Sequence, residues 1–192
     1  MNAAFKLFLQ KGYKEVTMNE ILKESGLSRG SFYYYFKSKE QVYAETLEMF
    51  LVAIPATLQR PIDDSSLFAF YHDYLANASL AYAQIGKVIK EAQVPISNFF
   101  SLSLDAMKRL PEYKSKVMMI NDVTIKVWVN VIEKARKNGE ITTSMTDLQI
   151  AYFFKYTMEG MGIKSEMEGR SSEANDKELI ELWDSFYMQI TS

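Results

Sequence analysis

Apolar residues recur every three or four positions along most of the chain, which is the spacing of an amphipathic α-helix. The four prolines lie between these apolar stretches, where helices begin or end. No extended alternation of apolar and polar residues is flanked by the Asn-Gly or Asp-Gly turns of strand hairpins. The pattern therefore predicts an all-α protein with about nine helices: 2–11, 18–24, 29–35, 39–54, 64–90, 96–108, 113–138, 146–167 and 176–190.

The first four predicted helices are short and carry specific capping signals. Thr17 followed by Glu20 has the spacing of a capping box, and Ser28 can cap the third helix. Gly12 and Gly26 can adopt the positive φ that a helix end or a tight turn requires. A helix, a glycine turn and a second short helix form the geometry of helix-turn-helix DNA-binding proteins. We expect a small shared core from these side chains: Phe5, Phe8, Leu9, Val16, Ile21, Leu22, Leu27, Phe32, Tyr35 and Phe36.

The outward face of the third helix has the chemistry of a DNA-binding surface. It would carry Arg29, Gly30, Ser31 and Tyr34, which supply a long cation, a hydroxyl and a phenol, and Tyr35 would lie either on this face or in the core. Because this face has no carboxylate, it can approach phosphates without repulsion and form hydrogen bonds with base edges.

Composition and charge narrow the possible functions. The net charge is −2, yet residues 1–46 hold seven basic and five acidic side chains, so a contact with a polyanion belongs to this segment. The chain has no cysteine and a single histidine, which excludes disulfides, thiolate nucleophiles and multi-histidine zinc sites. We therefore expect neither an enzyme nor a metal or other cofactor. Without a membrane span or signal segment in the sequence, we expect a cytoplasmic protein.

The run from Gly12 to Glu40 resembles the DNA-binding domain of TetR-family transcriptional regulators. The matching segments are GY at residue 12, TMNEI at residue 17 and SGLSRGSFYYYFKSKE at residue 25, and the resemblance covers residues 4–47. It implies a DNA-binding domain at 1–46 and a helical ligand-binding and dimerisation domain at 47–192. Thr17, Tyr33 and Lys39 match family positions that contact the DNA backbone. The full set of residues expected at DNA is Thr17, Ser28, Arg29, Gly30, Ser31, Tyr33, Tyr34 and Lys39.

The sequence departs from the family pattern at two places. Lys37 replaces a proline that often precedes the fourth helix, which adds a positive charge near the DNA backbone. The family usually has further, often basic, residues before the first helix, whereas this chain starts inside that helix. Because of this second departure, an alternative function stays open: the chain could be a helical small-molecule-binding or interaction module that no longer binds DNA.

Polar groups within apolar helix faces suggest a pocket for a small, largely apolar effector. The candidates are His72, Asn121, Thr124, Trp128, Tyr152 and Tyr156. The same pattern also fits hydrogen-bonded groups inside an ordinary core, and His72 alone is more typical of a partnered, half-buried histidine.

The last two helices carry apolar stripes that fit either an internal core or a dimer interface. The family resemblance favours a four-helix interface between two copies of the chain, formed by Leu148, Tyr152, Leu179, Leu182, Trp183 and Phe186. A homodimer would also double the number of phosphates contacted, on which affinity depends steeply. The sequence thus predicts a ligand-responsive regulator, most often a repressor in this family, that binds a palindromic double-stranded operator.

Overall fold

Caps and glycine turns divide the chain into helices close to most of the predicted bounds. Pro55, predicted at a helix end, lies instead inside the fourth helix, which runs four residues beyond its predicted end. The structure is a computed structural model that describes residues 1–58, 62–95, 97–169 and 172–191. All regular secondary structure in these ranges is helical, which confirms the all-α prediction. The helices are α1 (Asn2–Glu15), α2 (Met18–Ser25), α3 (Arg29–Tyr35), α4 (Lys39–Leu58), α5 (Leu67–Ala92), α6 (Ser97–Arg109), α7 (Pro111–Lys137), α8 (Asp147–Glu168) and α9 (Ser172–Thr191). Within the same ranges, no helix has the length and hydropathy needed to cross a membrane.

The predicted caps are present at the ends of the short helices. Thr17 Oγ1 accepts a hydrogen bond from the Glu20 backbone N–H (3.2 Å), and the Glu20 carboxylate accepts one from the Thr17 backbone N–H (2.8 Å). Ser28 Oγ accepts a hydrogen bond from the Ser31 backbone N–H at 3.2 Å. Gly26 ends α2 with a φ of 67°. These bonds satisfy backbone N–H groups that would otherwise lack partners, so they fix where α2 and α3 begin.

Gly12 interrupts α1 instead of ending it. Its φ of 74° and ψ of 168° are not helical, but the helix continues to Glu15 before Val16 takes an extended conformation. α1 therefore ends four residues beyond its predicted end, with a kink at the glycine.

The first of two compact units contains residues 1–56 and 81–117. Its core takes most of its apolar side chains from α1 to α4, and the second half of α5, α6 and the start of α7 supply the others. The buried members are Ala4, Phe5, Leu7, Phe8, Leu9, Val16, Ile21, Phe32, Val42, Tyr43, Leu47, Ile89, Ala92, Leu102, Ala106 and Tyr113. Most of the predicted core is confirmed, with Leu22 and Phe36 partly buried against it.

Two residues assigned to this core from the sequence are exposed, which corrects the prediction. Leu27 is 45% exposed and Tyr35 is 63% exposed. Leu27 follows the left-handed Gly26 in the turn, and its side chain faces outward there. α3 is only seven residues long, and its inward contacts come from Phe32, Tyr33 and, at the C-cap, Phe36, so Tyr35 lies outside the packed face.

Side-chain hydrogen bonds join α1 and α4 to later helices of the same unit. Asn98 Nδ2 donates to the Leu9 carbonyl at 2.8 Å, and the Tyr43 hydroxyl donates to the Leu102 carbonyl at 3.0 Å. The predicted head, residues 1–46, thus shares its core with residues 89–113. A domain boundary at residue 46 stays a prediction.

The second compact unit contains residues 57–80 and 118–192. Its core is built on aromatic rings, with Trp128 in contact with four of them. The ring of Phe154 stacks on Trp128 at 4.9 Å, and those of Phe70, Tyr74 and Trp183 meet it at larger angles. Such ring pairs add about 0.5–1.5 kcal/mol each beyond the burial of their apolar area.

Glu140, in the loop after α7, caps the distant N-terminus of α5. Its Oε1 accepts hydrogen bonds from the Leu67 backbone N–H (2.9 Å) and from the Tyr187 hydroxyl (2.9 Å). Burial, followed by this bond to a carboxylate, raises the pKa of Tyr187 to about 12. A negative charge at a helix N-terminus is favourable because the free N–H groups carry partial positive charge. One side chain therefore joins the α7–α8 loop, α5 and α9.

Replacing Glu140 with alanine should lower the free energy of unfolding by about 2 kcal/mol, since hydrogen bonds to a charged group contribute about 1.5–3 kcal/mol. Urea denaturation followed by circular dichroism, at fixed protein concentration, measures this loss. Glu133→Ala is the matched control, because Glu133 forms an exposed pair with Lys137 (2.9 Å), worth about 0.3–0.5 kcal/mol. Equal losses in the two variants would contradict the proposed tertiary cap.

Candidate nucleic-acid interface

The inner side of α3 is fixed by one buried ring, which leaves its opposite face in solvent. Phe32 is 1% exposed, whereas Arg29, Gly30 and Ser31 are all exposed and Tyr34 is 72% exposed. The four residues predicted to contact bases therefore lie together on the accessible face of a short helix. The acidic side chains that would repel DNA are absent from α3.

The turn between α2 and α3 is held by local hydrogen bonds. Ser25 Oγ donates to the Leu22 carbonyl at 2.8 Å and accepts a hydrogen bond from the Leu27 backbone N–H at 3.3 Å. Together with the left-handed Gly26, these bonds set the angle at which α3 leaves α2. This is the helix-turn-helix arrangement that the sequence predicts.

Two cations lie beside the aromatic side chains of α3. The Arg29 guanidinium carbon is 5.8 Å from the centroid of the Tyr33 ring, and Lys37 Nζ is 5.9 Å from that of Tyr34. Lys37 Nζ also donates to the Tyr33 carbonyl at 2.6 Å, so a positive charge is fixed at the end of α3. Lys37 is not among the residues predicted at DNA, although its position four residues after Tyr33 is the spacing of such a contact at a helix end.

Thr17 and Ser28, both predicted at DNA, are exposed but already serve as caps. The Thr17 hydroxyl donates to Glu20 Oε2 at 2.8 Å, and the Ser28 hydroxyl donates to Ser31 Oγ at 2.9 Å. The ion pair of Glu20 with Lys11 (2.7 Å), followed by its bonds to Thr17, lowers the pKa of the Glu20 carboxyl to about 2. The capping box thus keeps its charge at neutral pH, and the DNA contacts of the two hydroxyls stay predictions.

Tyr33 and Lys39, the other two residues predicted to contact the DNA backbone, differ in their surroundings. Tyr33 is half-buried, with its ring edge-on to Phe32 at 5.4 Å between centroids. Lys39 is also half-buried, and its Nζ lies 2.8 Å from the carbonyl oxygens of both Tyr13 and Val16. The ammonium group of Lys39 thus has protein partners in this structure.

The residues predicted to line a pocket lie in the second unit, and most have partners there. His72 Nε2 is 3.1 Å from Asp184 Oδ1, which fits the alternative interpretation of a partnered, half-buried histidine. Thr124 is buried and donates to the Ile120 carbonyl of its own helix at 2.8 Å. Asn121 is half-buried one helical turn from the core residue Thr124.

The three aromatic candidates for the pocket occupy two environments. Trp128 is 1% exposed in the core, and its Nε1 has no hydrogen-bond acceptor among the described residues. Tyr152 and Tyr156 stack on each other along α8, with centroids 4.9 Å apart, and Tyr156 is exposed. Whether these residues line one pocket stays a prediction.

The predicted dimer residues divide into exposed and buried members. Leu148 and Leu182 are exposed, and Tyr152 and Phe186 are half-buried. Leu179 and Trp183 are fully buried in the core of their own chain, which corrects their assignment to an interface. Trp183 Nε1 also donates to Thr157 Oγ1 at 2.9 Å, so both its ring and its polar atom are already used.

The chain is similar to bacterial transcriptional regulators at every level of comparison. Residues 1–46 match the family model described as bacterial regulatory proteins, tetR family. Over 161 residues, the chain is 24% identical to the uncharacterized HTH-type transcriptional regulator YfiR of Bacillus subtilis, covering 84% of this chain and 75% of YfiR. It is 26% identical over 154 residues to the HTH-type transcriptional repressor KstR2 of Mycolicibacterium smegmatis, covering 80% of this chain and 71% of KstR2.

A solved structure shares the fold of the described chain. The TetR-family regulator PfmR of Thermus thermophilus aligns with a TM-score of 0.66 over 99% of this chain and 95% of PfmR, at 16% identity. Some other curated relatives match this chain over less than half of their own length. The family-model match thus covers the helix-turn-helix segment, and the fold as a whole is shared with PfmR at low sequence identity.

Proposed function

We propose that this chain is a ligand-responsive transcriptional repressor of the TetR family that binds a palindromic operator as a homodimer, since residues 1–46 match the family model and the curated relatives are transcriptional regulators. One observation supports this proposal most directly. The exposed face of α3 combines Arg29, Ser31 and Tyr34 without a carboxylate, on a helix whose other side is fixed in a core. Repression is proposed because the relative KstR2 is a repressor.

The side chains of α3 suit a division between base and backbone contacts. Arg29 can donate two hydrogen bonds to the O6 and N7 atoms of a guanine, and Ser31 and Tyr34 can contact neighbouring base edges. Tyr33 and Thr17 would bind phosphates, where the N-terminus of α2 also favours an anion. In a dimer, the two α3 helices would enter major grooves about 34–36 Å apart, one helical turn of DNA.

A gel-shift experiment with DNA flanking the protein's own coding region tests the proposal. We expect a complex at physiological salt that survives an excess of random competitor DNA, because specific binding exceeds non-specific binding by about 10³–10⁷-fold. Absence of binding at any salt concentration would instead support the module that no longer binds DNA.

Arg29→Ala should reduce operator affinity by about 5- to 150-fold, which corresponds to the roughly 1–3 kcal/mol of one bidentate base contact. Affinity for random duplexes should change much less, since phosphate contacts remain. Fluorescence anisotropy with operator variants measures both, and Lys137→Ala, an exposed cation at the end of α7, is the charge-matched control. Equal losses on operator and random DNA would assign Arg29 to the DNA backbone.

Exposed apolar side chains on α8 and α9 support the homodimer. Leu148 and Leu182 are 43% and 39% exposed, and Tyr152 and Phe186 are half-buried. A symmetric interface would bring the same side chains of both copies together and remove them from water. The predicted interface therefore rests on these residues, without Leu179 and Trp183.

Leu182→Glu should convert the dimer to a monomer. Both copies would carry the carboxylate, so dimerisation would bury two unpaired negative charges in one interface. Sedimentation velocity at micromolar concentration measures the change, and operator affinity should fall with it. Leu104→Glu provides the matched control, since Leu104 is 55% exposed on α6, outside the predicted interface. Dissociation by the Leu104 variant, or a persistent dimer of the Leu182 variant, would contradict this interface.

The proposed effector is a small, largely apolar molecule that binds in the second unit. Trp128 offers an aromatic surface and an N–H donor that has no acceptor within the described parts of the chain, which an acceptor atom of a ligand would satisfy. Asn121 and Thr124 would supply further polar contacts beside it. Effector and operator would then weaken each other's binding by the same factor, as linkage requires, with a coupling of typically ~1–3 kcal/mol.

A further inference from the structure

A cavity of about 440 Å³ lies in the first compact unit, between the end of α1 and one face of α6. Residues 8–15 line it from α1. The residues that line it from α6 recur every three or four positions, so they share one face of that helix. They are Asn98, Ser101, Leu102, Asp105 and Arg109. The volume of the cavity falls within the range of about 300–1,000 Å³ that is typical of small-molecule pockets.

The cavity lies beside the interruption of α1 at Gly12. A Cβ atom added to this glycine would have no atom within 4 Å apart from its neighbours in the chain, so the space beside the kink is open. Carbonyl groups at the end of a helical segment need partners outside it. Asn98 Nδ2 supplies one, since it donates to the Leu9 carbonyl at 2.8 Å. This bond holds α6 against the interrupted helix and fixes the two walls of the cavity.

Arg109, the last residue of α6, is oriented by two contacts. Its Nε donates to Asp105 Oδ2 at 2.6 Å, and its guanidinium carbon lies 4.9 Å from the centroid of the Tyr13 ring. The hydrogen bond uses only one of the five N–H groups of a guanidinium. Within the ranges that the structure describes, the two terminal amino groups of Arg109 have no acceptor. The side chain is therefore held at the cavity with four N–H donors available.

The charges around the cavity favour a ligand with a single negative charge. Asp105 partly neutralises Arg109, and a glutamate of α2 pairs with Lys11 at 2.7 Å. Lys14 and Glu15 add one exposed charge of each sign to the lining. A phosphate with two negative charges would meet two carboxylates without an excess of cations. A carboxylate requires only the free edge of one guanidinium.

We propose that this cavity binds a small organic carboxylate. The two oxygens of the ligand would accept parallel hydrogen bonds from the terminal amino groups of Arg109, a geometry that guanidinium and carboxylate groups share. The compact apolar part of the ligand would lie against Leu102 and the α1 backbone near Gly12. These residues all belong to the first unit, whereas the candidates for the effector pocket belong to the second. The cavity would thus be a second, separate binding site.

Benzoate is the probe for this site, because it combines a carboxylate with a compact ring. Titration of benzoate to millimolar concentration into the isotope-labelled full chain should cause saturable shifts in nuclear magnetic resonance spectra, at the backbone amides of residues 8–15 and 98–109. Benzamide has the same shape without the charge, so its shifts should be much smaller. Absence of saturable shifts with benzoate, or equal shifts with benzamide, would overturn the proposal.

Arg109→Met should raise the dissociation constant of benzoate about tenfold or more, because the charge-assisted pair of hydrogen bonds is lost. Lys108→Met is the matched control, since Lys108 is the exposed neighbour on α6 and does not line the cavity. Arg109→Lys keeps the charge but not the planar fork, and it should bind benzoate several-fold more weakly than the wild type. This variant decides the result if Arg109→Met does not fold. Wild-type affinity in the folded Arg109 variants would overturn the proposal.

The position of the shifts distinguishes this site from the proposed effector pocket. Shifts confined to residues 118–192 would place benzoate in the second unit and overturn the proposal. Full displacement of benzoate by an equal concentration of inorganic phosphate would identify a general anion site, which also contradicts it. The carboxylate site does not require DNA binding, so a failed gel shift would contradict the proposed function and leave this test unchanged.

Discussion

The DNA-binding head depends on holding in place a helix that is too short to be stable alone. α3 has seven residues, whereas isolated helices shorter than about 12–15 residues are marginal in water. Its stability comes from the burial of Phe32, from the Ser28 cap and from the turn at Gly26. Since Phe32 provides the buried packing, the side chains on the opposite face, such as Arg29 and Tyr34, are not needed in the core. That face can therefore present its guanidinium and hydroxyl groups to the bases and phosphates of a DNA major groove.

Structural features that depend on residues close together in the sequence could be predicted. The bounds of α3, the Thr17–Glu20 capping box and the exposed face with Arg29 and Tyr34 follow from residues within a few positions of each other. Contacts between distant residues left no such signal. The bonds of Lys39 to α1 and of Glu140 to α5 join residues separated by at least 23 positions, and neither spacing is periodic.

The wrong predictions share a physical origin. An apolar stripe on a helix indicates that one face is buried, but it does not identify what covers that face. Leu179 and Trp183 fit an interface by their spacing, yet they are covered by the core of their own chain. Leu27 and Tyr35 show the reverse case, in which apolar residue type alone suggested burial. Around a tight turn and on a helix of two turns, there is too little core for every apolar side chain.

The two tryptophans of the second unit show how packing and polar partners separate structural from functional roles. Trp183 is buried and its indole N–H has an acceptor in Thr157, so the fold fully accounts for it. Trp128 is equally buried among rings, but its N–H has no acceptor among the described residues. An unpaired buried donor costs about 1–3 kcal/mol, and a phenyl ring at this position would avoid that cost. The ring contacts of Trp128 account for its burial but leave its N–H unpaired among the described residues, and an acceptor atom of the proposed effector would satisfy it.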